Sequence, residues 1–379
     1  MQCLVAAVRP LEVKELAEVL AFNFDAEGIP KLNSNWRWED QEGAVMLACS
    51  SLVTIVNDGN SRIVQFSHFS VKEFLTSDRL AEPVRDVSRY HIELEEAHTI
   101  LAQASLGFLL QLDDRVNRDN IGGFPLACYS AQYWATHARY GDVSSRIKDW
   151  MESLFDEDKP HFATWLWIHN DDGWDVNSLS TMLPEKPKAV PLYHAARLGF
   201  RDLAEHLIAE HPEHINAWDE DGFAPIHVAA KEGHFDILAL LLEHGVDVDS
   251  RNSRNQTPLS WAAIHGGVNL GQHLLDRGAD IDARNDHLMT PLHLVTYNEH
   301  VGFVRMLLER GAKIDVWDDQ GNTPLHEAVM WGKIETARML LEHGANVNAP
   351  DHSGKTPSQV TTQQDILELL SEYGSESVK

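Results

Sequence analysis

The chain has 379 residues, 43% hydrophobic and 23% charged, a composition of folded domains and a length for about two or three of them. With 31 Lys and Arg against 58 Asp and Glu its formal charge is −27, so phosphate backbones and anionic membrane surfaces repel it. Three scattered cysteines, Cys3, Cys49 and Cys128, exclude a disulfide framework and a cysteine zinc site, and no apolar run approaches the ~20 residues of a membrane helix.

Residues 10–22 put Val13, Leu16 and Leu20 on one face of a helix, and residues 40–50 read as a second helix. Residues 52–56 and 63–66 are β-rich runs flanking Asn57-Asp58-Gly59-Asn60, a hairpin turn, and residues 68–75 read as helix again. Helices and then a two-stranded wing predict a winged-helix-like module over 1–88. Residues 91–112 carry the period of a long helix through Ile92, Ala97, Ile100, Leu101, Ala104, Phe108 and Leu112. Helical segments at 123–140, 142–155 and 160–169 complete a helical connector over 89–188, which Trp150, Trp165 and Trp167 are expected to pack against the C-terminal half of the chain. Residues 177–190, with Pro184 and Pro187, read as a loop or boundary.

From there the chain repeats itself. Thr323-Pro324-Leu325-His326 recurs as Thr290-Pro291-Leu292-His293, with Thr257-Pro258-Leu259-Ser260 and Ala224-Pro225-Ile226-His227 as variants. Pro225, Pro258, Pro291, Pro324 and Pro357 are 33 apart, and Pro191 lies 34 before the first of them. Thr caps a helix, Pro fits its first position, and an outer helix such as 237–242 ends at Gly245, which can take the left-handed cap. One unit cannot bury its own apolar faces, so stability comes from stacking. Six units result, near 189–221, 222–254, 255–287, 288–320, 321–353 and 354–379. The last is short and polar (Ser358-Gln359-Val360-Thr361-Thr362-Gln363-Gln364), a terminal cap. Ser260 replaces the motif histidine of the third unit. Leu288 stands where other hairpins have Gly222, Gly321 or Gly354, and that hairpin is expected to have a different shape.

A period of 33 with T-P-L-H-x-A resembles the ankyrin repeat. In the first half, Arg9-Pro10-Leu11 with Glu15-Leu16-Ala17, the run from Phe66 to Leu75, and Phe124-Pro125-Leu126 with Ala131-Gln132-Tyr133-Trp134 resemble the region C-terminal to the NTPase in fungal NACHT–ankyrin proteins of the STAND class. The winged-helix part is similar to the module named after inositol-deacylase-like proteins. The resemblance covers nearly the whole chain and implies a role in non-self recognition or signalling. The NACHT domain, which would precede residue 1, is absent; a receptor fragment, a truncated gene product and a stand-alone adaptor all fit that departure. The fold expected is mainly α: winged-helix-like module, helical connector, and an ankyrin solenoid over 189–379.

Chemistry-bearing motifs are incomplete. Gly354-Lys355-Thr356 resembles the tail of a phosphate-binding loop, but Ala349 stands where that loop needs glycine. His326-Glu327 begins a zinc-protease motif whose second histidine is replaced by Met330. His206, His211 and His214 lack an acidic or cysteine ligand at metal spacing, and Asp219-Glu220-Asp221-Gly222 is half a calcium loop without the rest. No catalytic, cofactor-binding or metal-ligating residue is assigned, and no cofactor is expected.

What remains is surface. In repeat register, hairpin columns read Trp218, Arg251, Arg284, Trp317, Pro350 and Phe223, Gln256, Met289, Asn322, Lys355. Inner-helix columns read Arg197, Lys231, Ile264, Tyr297, Met330 and Leu198, Glu232, His265, Asn298, Trp331. A protein partner is expected to dock on the concave, hairpin-side surface of units four and five through Tyr297, Trp317, Met330 and Trp331. Met289 extends this patch, with Trp218, Phe223 and Ile264 further along. The alternative is a winged-helix regulator binding nucleic acid. Residues 1–120 hold 11 basic and 19 acidic residues, and Glu39-Asp40-Gln41-Glu42 opens the second helix with the wrong sign for phosphate. No membrane partner is expected, the compartment is cytoplasmic with the nucleus allowed, and the oligomeric state is open.

Overall fold

The structure, a computed structural model, describes residues 1–24, 31–32, 40–49, 52–59, 61–77, 91–113, 116–117, 120–169, 190–219 and 222–376. The chain divides into two compact units, Met1–Pro187 and Lys188–Lys379. Residues 177–189 of the expected loop lie outside the described residues.

In the first unit a short helix, Gln2–Ala6, precedes strand β1, Leu11–Glu12. The helix expected over 10–22 is only Val13–Val19. Leu11 breaks its period and is instead buried by antiparallel pairing opposite Val64. Glu12, in extended conformation, caps the helix, and its backbone N–H donates to Glu15 Oε2 at 2.7 Å. Phe22–Asn23 and Lys31–Leu32 form a two-stranded pair, β2 and β3. Helix Gln41–Cys49 then leads into the wing, β4 (Val53–Asp58) and β5 (Ser61–Phe66), turning at Gly59. β5 is the middle strand, in the order β1-β5-β4.

The helices of the expected connector belong to the same unit. The long helix is Leu94–Leu109, ending three residues before Leu112, and the segment expected over 142–155 is two helices, Val143–Arg146 and Lys148–Leu154. Helices Ala127–Ala138 and Pro160–His169 complete the set. Trp165 sits in the core of its own unit, its ring 5.5–5.9 Å from those of Trp134, Phe155 and Phe162, its N–H on the Ala131 carbonyl at 2.9 Å. The Arg9 guanidinium ties the N-terminal module to this layer. It grips Glu15 at 2.6 and 2.8 Å and lies 5.1 Å from the Tyr129 ring centre.

In the second unit every inner helix starts at its motif proline: Pro191–Leu198, Pro225–Glu232, Pro258–His265, Pro291–Asn298 and Pro324–Met330. Consecutive inner helices pack side by side. The sixth unit keeps only a 3-10 turn, Pro357–Gln359, before helix Gln364–Glu376. Its Gln359 side chain accepts the Thr356 N–H at 3.0 Å, replacing the motif histidine.

The motif histidines are struts between units. Nδ1 of His227, His293 and His326 accepts the N–H of its own helix cap at 3.2 Å. Nε2 then donates to a carbonyl of the next hairpin, Ser250, Asn322 or Lys355, at 2.8–3.2 Å. Burial pulls all three down from the ordinary histidine value, against the carbonyl bonds that raise it. Ser260 is too short for that span; its hydroxyl meets Thr257 Oγ1 at 3.2 Å.

The hairpin at Leu288 does not change shape. Leu288 takes φ +56°, the left-handed conformation of Gly222, Gly321 and Gly354. The Asn285 side-chain oxygen holds the turn by accepting the N–H groups of His287 and Met289 at 2.9 and 3.0 Å. Asp318 does the same for Gln320 and Asn322.

Candidate protein-interaction surface

Stacking sets the consecutive inner helices of the second unit side by side, so their C-terminal ends become neighbours. Tyr297 is the seventh residue of the fourth inner helix, and Trp331 caps the C-terminus of the fifth. Stacking brings the two together: their ring centres are 5.0 Å apart with planes at 82°. Both stay about half exposed, Tyr297 at 47% and Trp331 at 53%, with Met330 beside them at 38%. Trp317, at 53%, precedes the buried Asp318 that holds the fifth hairpin. Met289 is half-buried in the fourth hairpin, its N–H held by Asn285.

The other expected residues lie elsewhere along the array. Trp218 is exposed at the approach to the second hairpin. Phe223 is half-buried against Trp261, 5.1 Å between ring centres. Ile264 is half-buried, and its carbonyl accepts the His300 ring N–H at 3.0 Å.

Two residues escape the columns read from sequence. Trp261 packs on Phe223, and Glu327 is bonded to the Trp331 indole of the Tyr297–Trp331 pair. The Trp331 indole N–H donates to Glu327 Oε2 at 2.9 Å, and the glutamate as a whole is 6% exposed. Burial pushes the Glu327 carboxyl above the usual range; the Trp331 bond opposes this and nearby Asp318 adds to it. The signal was a further column of period 33: Val228, Trp261, Leu294, Glu327.

The incomplete motifs have structural occupations. The backbone N–H groups of Ser353 and Lys355, which a phosphate would need, are both taken by Asp351 Oδ1 at 2.8 Å. His211 and His214 stack with ring centres 5.3 Å apart. On the wing of the first unit, Arg62 is ion-paired with Glu42, the acid that opens helix Gln41–Cys49. Among the described residues no helix is long and apolar enough to cross a membrane.

Comparison with known proteins finds two family models. The model described as Ankyrin repeats (3 copies) matches residues 192–285 and 284–351. The GPI inositol-deacylase winged helix domain matches residues 1–84. Ankyrin repeats and a winged-helix domain of that type are therefore present, and the fold is mainly helical. The chain is 28% identical over 260 residues to azaphilone pigments biosynthesis cluster protein L of Monascus ruber, covering 64% of this chain and 54% of that protein. It is 33% identical over 91 residues to ankyrin repeat domain-containing protein 49 of Bos taurus, covering 22% of this chain and 38% of that one. It is 40% identical over 58 residues to BCL-6 corepressor-like protein 1 of Mus musculus, covering 15% and 3%. The chain thus spans about half the length of the first relative and less of the others.

Proposed function

We propose that this chain is a protein-recognition module without catalysis of its own, the scaffold or sensor region of a signalling protein of the fungal NACHT–ankyrin kind. In this reading the inner-helix face of repeat units four and five docks a protein partner, in the cytoplasm or the nucleus. One observation carries it: Tyr297, Trp317, Met330 and Trp331, four large side chains on neighbouring inner helices and a hairpin, are each 38–53% exposed. Single exposed apolar residues are ordinary, whereas a cluster rich in Trp and Tyr is the composition of interface anchors. The two matched families support the reading, ankyrin repeats as an interaction module and the winged-helix domain as its companion in NACHT proteins.

The test is site-specific photo-crosslinking in the cell of origin. A crosslinking amino acid at position 297 should capture a discrete protein, and the same group at the exposed outer-helix position 305 should not. Capture at 305 and none at 297 would move the docking face to the other side of the array.

A further inference from the structure

We infer that the Tyr297–Trp331 pair, with the Glu327 carboxylate bonded to its indole, seats a cationic side chain, an arginine or lysine of the docking protein. This rests on the reading of that face as a protein-docking surface and adds the chemistry of what docks there.

The first argument is an uncompensated charge. Glu327 is 6% exposed, and among the described residues it forms no ion pair. Its Oε2 accepts the Trp331 indole N–H, and its Oε1 makes no hydrogen bond to them but is not sealed from solvent, which leaves it open to a cation from outside. Neighbouring Asp318 also lacks a cation among the described residues, but its oxygens are occupied by Gln320, Asn322 and the Asn322 amide. The nearby Lys333 is committed to Glu299 at 2.9 Å. The first unit shows the usual arrangement: buried Glu15 is gripped through both oxygens by Arg9. Drawing a carboxylate most of the way out of water without a cation is costly. The fold does not ask for an acid here either, since the equivalent residues are Val228, Trp261 and Leu294.

The second argument is that the molecule already uses this chemistry elsewhere. In units two and three the Phe223–Trp261 pair is capped by the chain's own cation, the Lys231 amine lying 6.0 and 5.7 Å from the two ring centres. Arg9 likewise lies over Tyr129 while holding Glu15. In the column of Lys231, the fourth and fifth units carry Tyr297 and Met330, so the Tyr297–Trp331 pair has rings and carboxylate but no cation from that column. The third argument is long-range. From residue 189 onward the array holds 14 basic and 29 acidic residues, a field that draws in and orients a basic segment.

The test uses the full chain and two pools of short peptides. Both have random flanks; one has a central arginine and the other a central citrulline, of the same shape without the charge. At physiological ionic strength the arginine pool should be retained about tenfold more than the citrulline pool. Glu327→Gln, which keeps an acceptor for the Trp331 indole, should bring the two pools within about twofold of each other. Glu309→Gln makes the same change in net charge on an exposed outer-helix position and should leave the preference intact. Should the glutamine variant fail to fold, Glu327→Leu installs the residue of the fourth unit. Equal retention of the pools, or a preference that survives loss of Glu327, overturns the inference. If retention is equal yet drops on Tyr297→Ala, the docking face stands and only its cationic anchor is wrong. If Tyr297→Ala and Glu327→Gln both leave retention unchanged, the docking face itself is wrong.

Discussion

Trp331 meets Tyr297 of the preceding repeat edge to face at 5.0 Å, and its indole N–H is bonded to Glu327 on its own inner helix. One side chain thus joins two repeat units, bonds the carboxylate of a largely buried glutamate and still shows half its surface to solvent. Packing and exposure coexist in it, which sets what each truncation should do.

Trp317→Ala should shift stability by no more than about 0.5 kcal/mol, as for most exposed positions. Trp331→Ala should cost about 1–3 kcal/mol, because it strips Glu327 of its only hydrogen-bond donor among the described residues. Trp331→Phe keeps the ring and loses the N–H, and should show most of that cost. Urea unfolding of the three variants decides the order; equal effects would mean that the indole–carboxylate bond contributes nothing.

Glu327→Gln should melt at or above the parent at pH 7. The folded chain holds the Glu327 proton to higher pH than the unfolded chain does, so unfolding releases a proton in the interval above the ordinary value of 4.5. Stability then falls as pH rises through that interval, and the amide escapes the penalty. The advantage should shrink toward pH 4, where the carboxyl is mostly protonated in both states. A melting temperature clearly below the parent's at pH 7 would show that the charge stabilises the fold.

Acid should weaken the first unit through His137. Its Nε2 meets the Tyr129 hydroxyl at 2.9 Å and its Nδ1 meets His98 Nδ1 at 2.8 Å. Burial, with His98 adding to it, pushes His137 down to about 3, and burial lowers His98 as well. Above about pH 6.5 the imidazole is neutral in both states and pH has no effect through it. Below that the unfolded chain binds a proton that the folded one refuses, so stability drops by about 1.4 kcal/mol per pH unit, or about 2 kcal/mol between pH 6.5 and 5. Imidazole chemical shifts should show His137 neutral at pH 5 in the folded chain. A midpoint near 6.5 for that residue would refute the assignment.

Leu288→Gly should stabilise the array. A left-handed leucine costs about 1–2 kcal/mol, and glycine returns about 0.4–1 of that through the freedom of the unfolded chain. The expected gain is about 0.5–1 kcal/mol in urea unfolding; a loss would mean that the half-exposed leucine side chain packs to more effect than the strain costs.

The repeats were legible because proline, threonine and glycine recur at fixed offsets where each has a backbone duty. Leu288 misled for the same reason. The residue predicts a different turn, but the Asn285 side chain accepts two N–H groups across it and holds the left-handed form. Strand β1 was hidden because two residues show no alternation, and its burial comes from a partner more than fifty residues away. At the candidate surface, hairpin and helix-end columns singled out Tyr297, Trp317, Met330 and Trp331, all of which are exposed. Glu327 was missed because the residue after the motif histidine is a core position in neighbouring units, where Val228 and Leu294 are buried. Arg251, which reads as an ordinary surface charge, bonds the carbonyls of Asn255 and Arg284 and so ties two hairpins together.

The central claim is that units four and five dock a protein through their inner-helix face. The most direct measurement is the affinity of the protein captured at position 297 for the parent chain and for the Tyr297→Ala, Trp317→Ala double variant, which leaves the Trp331–Glu327 bond in place. Two interface anchors at about 2 kcal/mol each predict a loss of about 1000-fold with the fold retained. Affinity unchanged within about twofold would contradict the account, because both residues would then be bystanders to binding.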